Sequence, residues 1–296
     1  MDDATVVLSF FSPANYELPK RHLHAVVNTM HAQGIRVVVT QAVLPNQIPQ
    51  QIPLAITQAA LPTQSFLFHK ERLWNIGAKL TNSKYIFFLD ADIVFKTCAW
   101  LEISCGLLER ADIVQPFSRA VWLDHKGEPD MYRPSSAVAI SSNGVPNLSR
   151  YHPGFGWGMT RNAYNALGGF YDASVAGNSD SLFALSLRDN CVHSALEKWF
   201  SNRQDTSVNC ETYQSYKKNA VGLDLKVDAP DDIDAVHLWH GFRKDRQYVT
   251  RTPMFPRLPN GEFAVHDATN GLQEWDDIDA ANNSTFKYFK EKRDDG

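Results

Sequence analysis

Tyr85-Ile-Phe-Phe-Leu-Asp-Ala-Asp-Ile-Val-Phe95 sets an unbroken apolar run against two closely spaced acids. The apolar run from Tyr85 to Leu89 reads as a buried strand that stops at Asp90. Side chains alternate along extended chain, so Asp90 and Asp92 project to one side and Ala91 to the other. The carboxyl end of such a strand is where open α/β sheets form their ligand crevice. Two carboxylates there repel each other unless a cation joins them. A divalent ion shared with a diphosphate is the economical explanation. An arbitrary Asp-x-Asp is more often a pair of solvated turn carboxylates, but the apolar residues on both flanks argue against that here.

Upstream, Thr5 to Phe11 reads as a buried strand. Leu23, Val26, Val27 and Met30 then recur at helical spacing, with Gly34 as the stop. Ile35 to Thr40 is a second strand. The segment from Gln41 to Thr63 carries Pro45, Pro49, Pro53 and Pro62 and reads mostly as loop or extended chain. A short strand over Ser65 to Phe68 and a helix from Lys70 to Leu80 follow. This rhythm predicts an α/β fold with a mainly parallel central sheet covered by helices on both faces. On the helix, Leu73, Ile76 and Leu80 form the apolar face, and Arg72, Asn75 and Lys79 share another side, where a cation would suit a phosphate crevice. Lys70 and Lys79 read equally well as solvated helix residues.

Downstream, Asp112 to Phe117 is a further strand, and irregular chain runs from Ser118 to Pro153. Helices are expected over Thr160 to Leu167, Ser181 to Arg188 and Val192 to Asn202, and a strand over Ala235 to Trp239. In His152-Pro-Gly-Phe-Gly-Trp-Gly-Met159, Gly156 lets backbone approach a ligand and Trp157 offers a flat surface for a sugar ring; core packing is the plain alternative. Asp172 and Asp180 are candidate general bases, with helix capping as the plain role of Asp180. His237-Leu-Trp-His-Gly241 offers imidazoles to a transition metal. Residues three apart on a straight strand face opposite ways, so His237 and His240 meet one ion only if the backbone turns, and His240 is favoured.

The 296 residues are 44% apolar, enough for one large domain, with a formal net charge of −4. That balance excludes a uniformly basic nucleic-acid binder. The four cysteines form no CxxC pair and read as buried free thiols. No leader and no run long enough to span a membrane is visible, so a soluble, cytoplasmic protein is expected.

In this order the motifs resemble GT-A nucleotide-sugar glycosyltransferases. Arg72-Leu-Trp-Asn-Ile-Gly77 before Asp90-Ala-Asp92 is similar to the donor half of family-2-type enzymes. Gly154 to Gly158, Gly168-Gly-Phe170, the acidic loop and His240 follow the order of the beta-1,4-galactosyltransferases. Phe68-His-Lys-Glu-Arg72, Val114-Gln-Pro-Phe117 and His237-Leu-Trp-His-Gly241 look closer to bacterial and viral glycosyltransferase-like proteins.

The resemblance implies one GT-A domain over 1–296, with a nucleotide-sugar-binding half (1–117) and an acceptor half (118–296). It implies Mn²⁺ (or Mg²⁺) on Asp90, Asp92 and His240, with His237 beside them. The donor, a UDP-sugar by preference, would meet Phe10, Arg72, Asn75, Lys79 and Asp90. An inverting transfer would use Asp180 or Asp172 as base, although Asn178-Ser-Asp-Ser181 stands where the galactosyltransferases carry a run of acids. The acceptor is a glycan or, if the source is a virus acting inside its host cell, a hydroxymethylated DNA base. Arg243, Lys244, Arg246, Arg251 and Arg257 are basic residues that could meet an anionic acceptor.

Asp-x-Asp with Ile-Val also resembles the nucleophile motif of haloacid-dehalogenase-type phosphatases, with Asp90 as nucleophile. There the motif usually lies on the first strand, whereas here a long α/β stretch precedes it. A non-catalytic carbohydrate-binding module is a further alternative. Sugar-1-phosphate nucleotidyltransferases are disfavoured because no glycine-rich loop lies between Ser9 and Pro19.

Overall fold

A computed structural model describes residues 3–142, 144, 146–189 and 200–296. The fold is mixed α/β with a large central sheet flanked by helices. Strands β1 (Ala4–Phe10), β2 (Val37–Val43), β3 (Thr57–Pro62) and β4 (Tyr85–Leu89) are mutually parallel neighbours in the order β4-β1-β2-β3. After β5 (Ile93–Phe95) and β6 (Ile113–Val114) come β7 (Arg119–Leu123), β8 (Pro129–Pro134) and β9 (Gly156–Thr160). β9 lies antiparallel between β4 and β6, and β10 (Val227–Asp228) completes seven strands beside β6. A second sheet of four strands has the order β5-β11-β7-β8, with β11 at Asp234–His237.

Alternation along the parallel strands builds two cores. Val6, Leu8, Val37, Val39, Phe87 and Leu89 face α1 (Glu17–Ala32) and α3 (Trp100–Leu107). Val7, Val38, Ile86 and Phe88 face α2 (Lys70–Ala78), α5 (Arg161–Leu167) and α6 (Ser179–Ser186), the short α4 (Ser136–Ser141) adding Ala137 and Ile140. A strand covered on both faces needs apolar residues at every position, which is why β4 reads as an unbroken run. α1 ends where Gly34 adopts φ +69°, a conformation glycine takes without strain.

Several elements differ from the sequence reading. The segment from Ser118 to Pro153, read as irregular, holds β7, β8 and α4. Ser65 to Phe68 is not a strand; the strand lies earlier, at β3, inside the proline-rich segment. β3 is the sheet edge, where alternate residues are exposed and Pro62 is tolerated at the end. Asp112 to Phe117 contains only the two-residue β6. The helix expected over Val192 to Asn202 falls mostly outside the described residues. Of the cysteines described, Cys210 is buried, Cys105 half-buried and Cys98 exposed, all as free thiols. Among the described residues no helix is long and apolar enough to cross a membrane.

Candidate active site

A cavity of about 770 Å³ opens at the carboxyl ends of β1 and β4. Leu89, the last residue of β4, pairs with Leu8 and Gly156, so the following turn emerges at the carboxyl end of the central strands. In that turn the Ile93 N–H donates to the Asp90 carbonyl at 3.3 Å, and the chain passes into β5 of the second sheet. β11 pairs antiparallel with β5, His237 opposite Ile93, which brings His237 to the turn. Beyond His237 the chain leaves the strand, and the Leu238 N–H donates to the Asp92 carbonyl at 2.9 Å.

Both imidazoles therefore face Asp92. His240 Nε2 lies 2.7 Å and His237 Nε2 3.5 Å from Asp92 Oδ2. Gly241 has φ +77°, and a Cβ there would stand 2.5 Å from the Arg293 carbonyl oxygen. That close approach of the C-terminal tail delivers Asp294, whose Oδ1 is 3.2 Å from His240 Nδ1. Arg246 Nη2 also meets the His240 ring, 2.9 Å from Nδ1 and 2.8 Å from Nε2.

One ligand atom each from Asp92, His237 and His240 lies within 4.8 Å of the others. Asp92 Oδ1 is buried with no hydrogen-bond partner, an atom left available to a cation. Burial pushes the His237 imidazolium down to about 3, so the ring is neutral at pH 7 and keeps a lone pair. Burial opposes ionisation of Asp92 as well, but His237 and His240 outweigh it and hold the carboxyl below its usual range. One carboxylate and two imidazoles fit a divalent transition metal, and Asp294 behind His240 gives it an orienting carboxylate.

Lys70, in the first turn of α2, forms the second cluster. Its Nζ stands 3.2 Å from Asp90 Oδ1, 3.3 Å from Glu71 Oε1 and 3.7 Å from Asp180 Oδ2. Burial disfavours the ammonium, but Asp90, Glu71 and Asp180 together raise it well above the usual lysine range. Burial also raises Asp90, an effect Lys70 opposes and Asp92 reinforces. Asp180 enters from the first turn of α6 and passes close to Gly154, where a Cβ would lie 2.8 Å from its Oδ2.

Of the residues singled out in the sequence, Phe10, Asp90, Asp92, Asp180, His237 and His240 line this one cavity. Asp90 differs from the expectation in its partner, facing Lys70 rather than the histidines. Arg72, Asn75, Lys79 and Asp172 lie elsewhere. Arg72 Nε is 3.4 Å from Asp172 Oδ2 and its guanidinium also meets Asp267. Asn75 Nδ2 donates to Asp172 Oδ2 and to the Phe170 carbonyl, both at 2.8 Å. This side of α2 thus holds the Gly168-to-Asp172 loop, while Lys79 is exposed just past the helix. Trp157 is fully buried, donates from Nε1 to the Pro153 carbonyl at 2.8 Å and packs edge-on against Phe183. It fills the core and offers no face to a sugar. Gly156 is closed off too, since a Cβ there would meet Leu89 and the Phe88 carbonyl.

No family model and no curated protein matches this chain. The solved structures it resembles include sugar transferases. A mannosyltransferase from Pyrobaculum calidifontis, solved with GDP-Man and Mn²⁺, is 13% identical over 79% of this chain and 56% of its own, with a TM-score of 0.44. A glucosyl-3-phosphoglycerate synthase from Mycobacterium tuberculosis, solved with Mn²⁺, UDP and glucosyl-3-phosphoglycerate, is 10% identical over 79% and 70%, with a TM-score of 0.39. TarS of S. aureus is 12% identical over 75% and 70%, with a TM-score of 0.36. At TM-scores below 0.5 these likenesses leave the chemistry to be argued from the cavity.

Proposed function

We propose that this chain is a metal-dependent glycosyltransferase of the GT-A type that moves a sugar from a nucleotide sugar, by preference a UDP-sugar, to an acceptor hydroxyl. The observation that carries the reading is the cluster of Asp92, His237 and His240 in the same cavity as Asp90, Lys70 and Asp180. Nitrogen ligands favour Mn²⁺ over Mg²⁺. Asp92, His237 and His240 would hold the ion, which supplies Lewis-acid stabilisation to a departing diphosphate.

The chain's own groups account for the rest. Lys70 places a half-buried ammonium beside Asp90, within the cavity where donor phosphates would lie. Asp180 accepts the acceptor's hydroxyl proton while that oxygen bonds to the anomeric carbon. The bond from the same carbon to the diphosphate breaks, its electron pair leaving with the nucleotide, and configuration inverts. Asp172 is a poor base because Asn75 and Arg72 engage it outside the cavity. Residues 1–117 give Asp90, Asp92 and Lys70, while 118–296 give Asp180 and both histidines, so the donor site draws on both halves.

A screen of nucleotide sugars with and without Mn²⁺ tests this reading. Wild type is expected to hydrolyse its donor slowly in a Mn²⁺-dependent way. Asp180→Asn is expected to keep donor binding and lose roughly 10²- to 10⁴-fold in transfer. A chain that neither binds nor consumes any nucleotide sugar in Mn²⁺ contradicts the proposal.

A further inference from the structure

One wall of the cavity carries positive charge with little acid to match it. Arg133, near the end of β8, is half-buried; its Nη1 donates to the Leu148 carbonyl at 3.4 Å, and it makes no ion pair with the described carboxylates. Arg243, exposed at the mouth, sets its Nη1 2.8 Å from Met131 Sδ and likewise has no described ion pair. Arg203 lines the same cavity. Burial and then Arg243 push Arg133 below the usual arginine range, and Arg203 is lowered by burial, Arg251 and Arg133. Asp205, the acid on this wall, already pairs with Arg257 at 3.0 Å and accepts from the Ser207 N–H at 3.0 Å.

Three other arginines named for an anionic acceptor are engaged by the protein. Arg246 bonds His240, Arg251 bonds the Gly177 carbonyl and the Tyr288 hydroxyl, and Arg257 bonds Asp205. Register separates Arg133 from the metal cluster. Met131 pairs with Trp122, which pairs with His237, so β8 lies two strands, about 10 Å, from β11. His152 stands on this side too, its ring 4.6 Å from Trp122 and 4.3 Å from Phe155, with Nε2 buried and unpartnered. Gly154 brings His152 and Asp180 together, a Cβ there being 3.1 Å from His152 Nε2 and 2.8 Å from Asp180 Oδ2.

Resting on the transferase reading, we infer that this wall is the acceptor subsite and that the acceptor carries a phosphate group, held by Arg133 and Arg243. Guanidinium forks match phosphate oxygens, and a phosphate relieves the repulsion among like charges gathered on one wall. His152 Nε2 is left for an uncharged part of the acceptor, whose hydroxyl then lies near Asp180.

Calorimetric titrations of the full chain saturated with UDP and Mn²⁺ test this, using glucose 6-phosphate, glucose and a short single-stranded oligonucleotide as probes. At least one phosphate-bearing probe is expected to bind alongside UDP, with glucose at least tenfold weaker. Glucose 6-phosphate alone points to a monoester acceptor, the oligonucleotide alone to a phosphodiester chain. Arg133→Met with Arg243→Ala is expected to weaken that binding tenfold or more and leave UDP affinity unchanged; Arg243→Ala alone, at an exposed position, serves if the double variant does not fold. The inference is overturned if neither phosphate probe binds, if they displace UDP, or if the variant binds like wild type. Failure of UDP and Mn²⁺ to bind would instead count against the transferase reading, and the same probes on the chain alone would still test the wall.

Discussion

Three carboxylates, Glu71, Asp90 and Asp180, surround the single ammonium of Lys70. Glu71 is the most deeply placed, and burial pushes it up to about 7, with Lys70 opposing and Asp180 adding to the shift. An unfolded carboxyl titrates near 4.5, so the stability tied to protonated Glu71 is complete below that pH and is lost as pH rises through 7. A shift of that size corresponds to about 3 kcal/mol. Relative to Glu71→Gln, wild type is expected to lose that much stability between pH 3 and pH 8 in denaturant titrations. Parallel pH profiles would exclude Glu71 as the titrating group. At this scale the acids and histidines of the site were legible because charge at the end of an apolar strand has few structural uses. Lys70, Arg72, Asn75 and Lys79 were harder: periodicity identifies the faces of α2, but which face meets a ligand depends on where its first turn docks. Trp157 reads as a platform among glycines, yet its strand runs through the middle of the sheet, which fixes its side chain in the core. Asp294 carried no signal in a charged tail.

α1 has no capping side chain of its own at Tyr16. Asp295 caps it from the far end of the chain, its Oδ2 accepting from the Glu17 N–H at 3.0 Å and its Oδ1 from the Leu18 N–H at 2.6 Å. Asp295→Ala is expected to reduce stability by about 1 kcal/mol, as loss of a helix cap does. Urea unfolding checks this, and an unchanged midpoint would mean that water serves those N–H groups equally well. Elements with a strong period, such as α1 and β4, were readable because burial dictates their pattern. β3 was not, since an edge strand is half solvated and the prolines of the segment around it resemble loop. The antiparallel direction of β9 was equally hidden, because a glycine-rich strand pairs either way and its direction follows from the irregular chain before it.

Across the whole molecule, the cavity forms where the turn after β4 passes from the first sheet to the second, and the C-terminal tail closes it from behind. Asp92 comes from that turn, His237 and His240 from the end of the second sheet, and Asp294 from the tail, so the cluster exists only when all three parts are assembled. Titration of Mn²⁺ into the chain, followed by the loss of its free-ion paramagnetic resonance signal, tests this assembly most directly. Wild type is expected to bind one ion per chain, and both Asp92→Asn and His240→Ala to weaken binding tenfold or more while keeping the native circular dichroism spectrum. Wild type that binds no Mn²⁺, or folded variants that bind it as wild type does, would contradict the account.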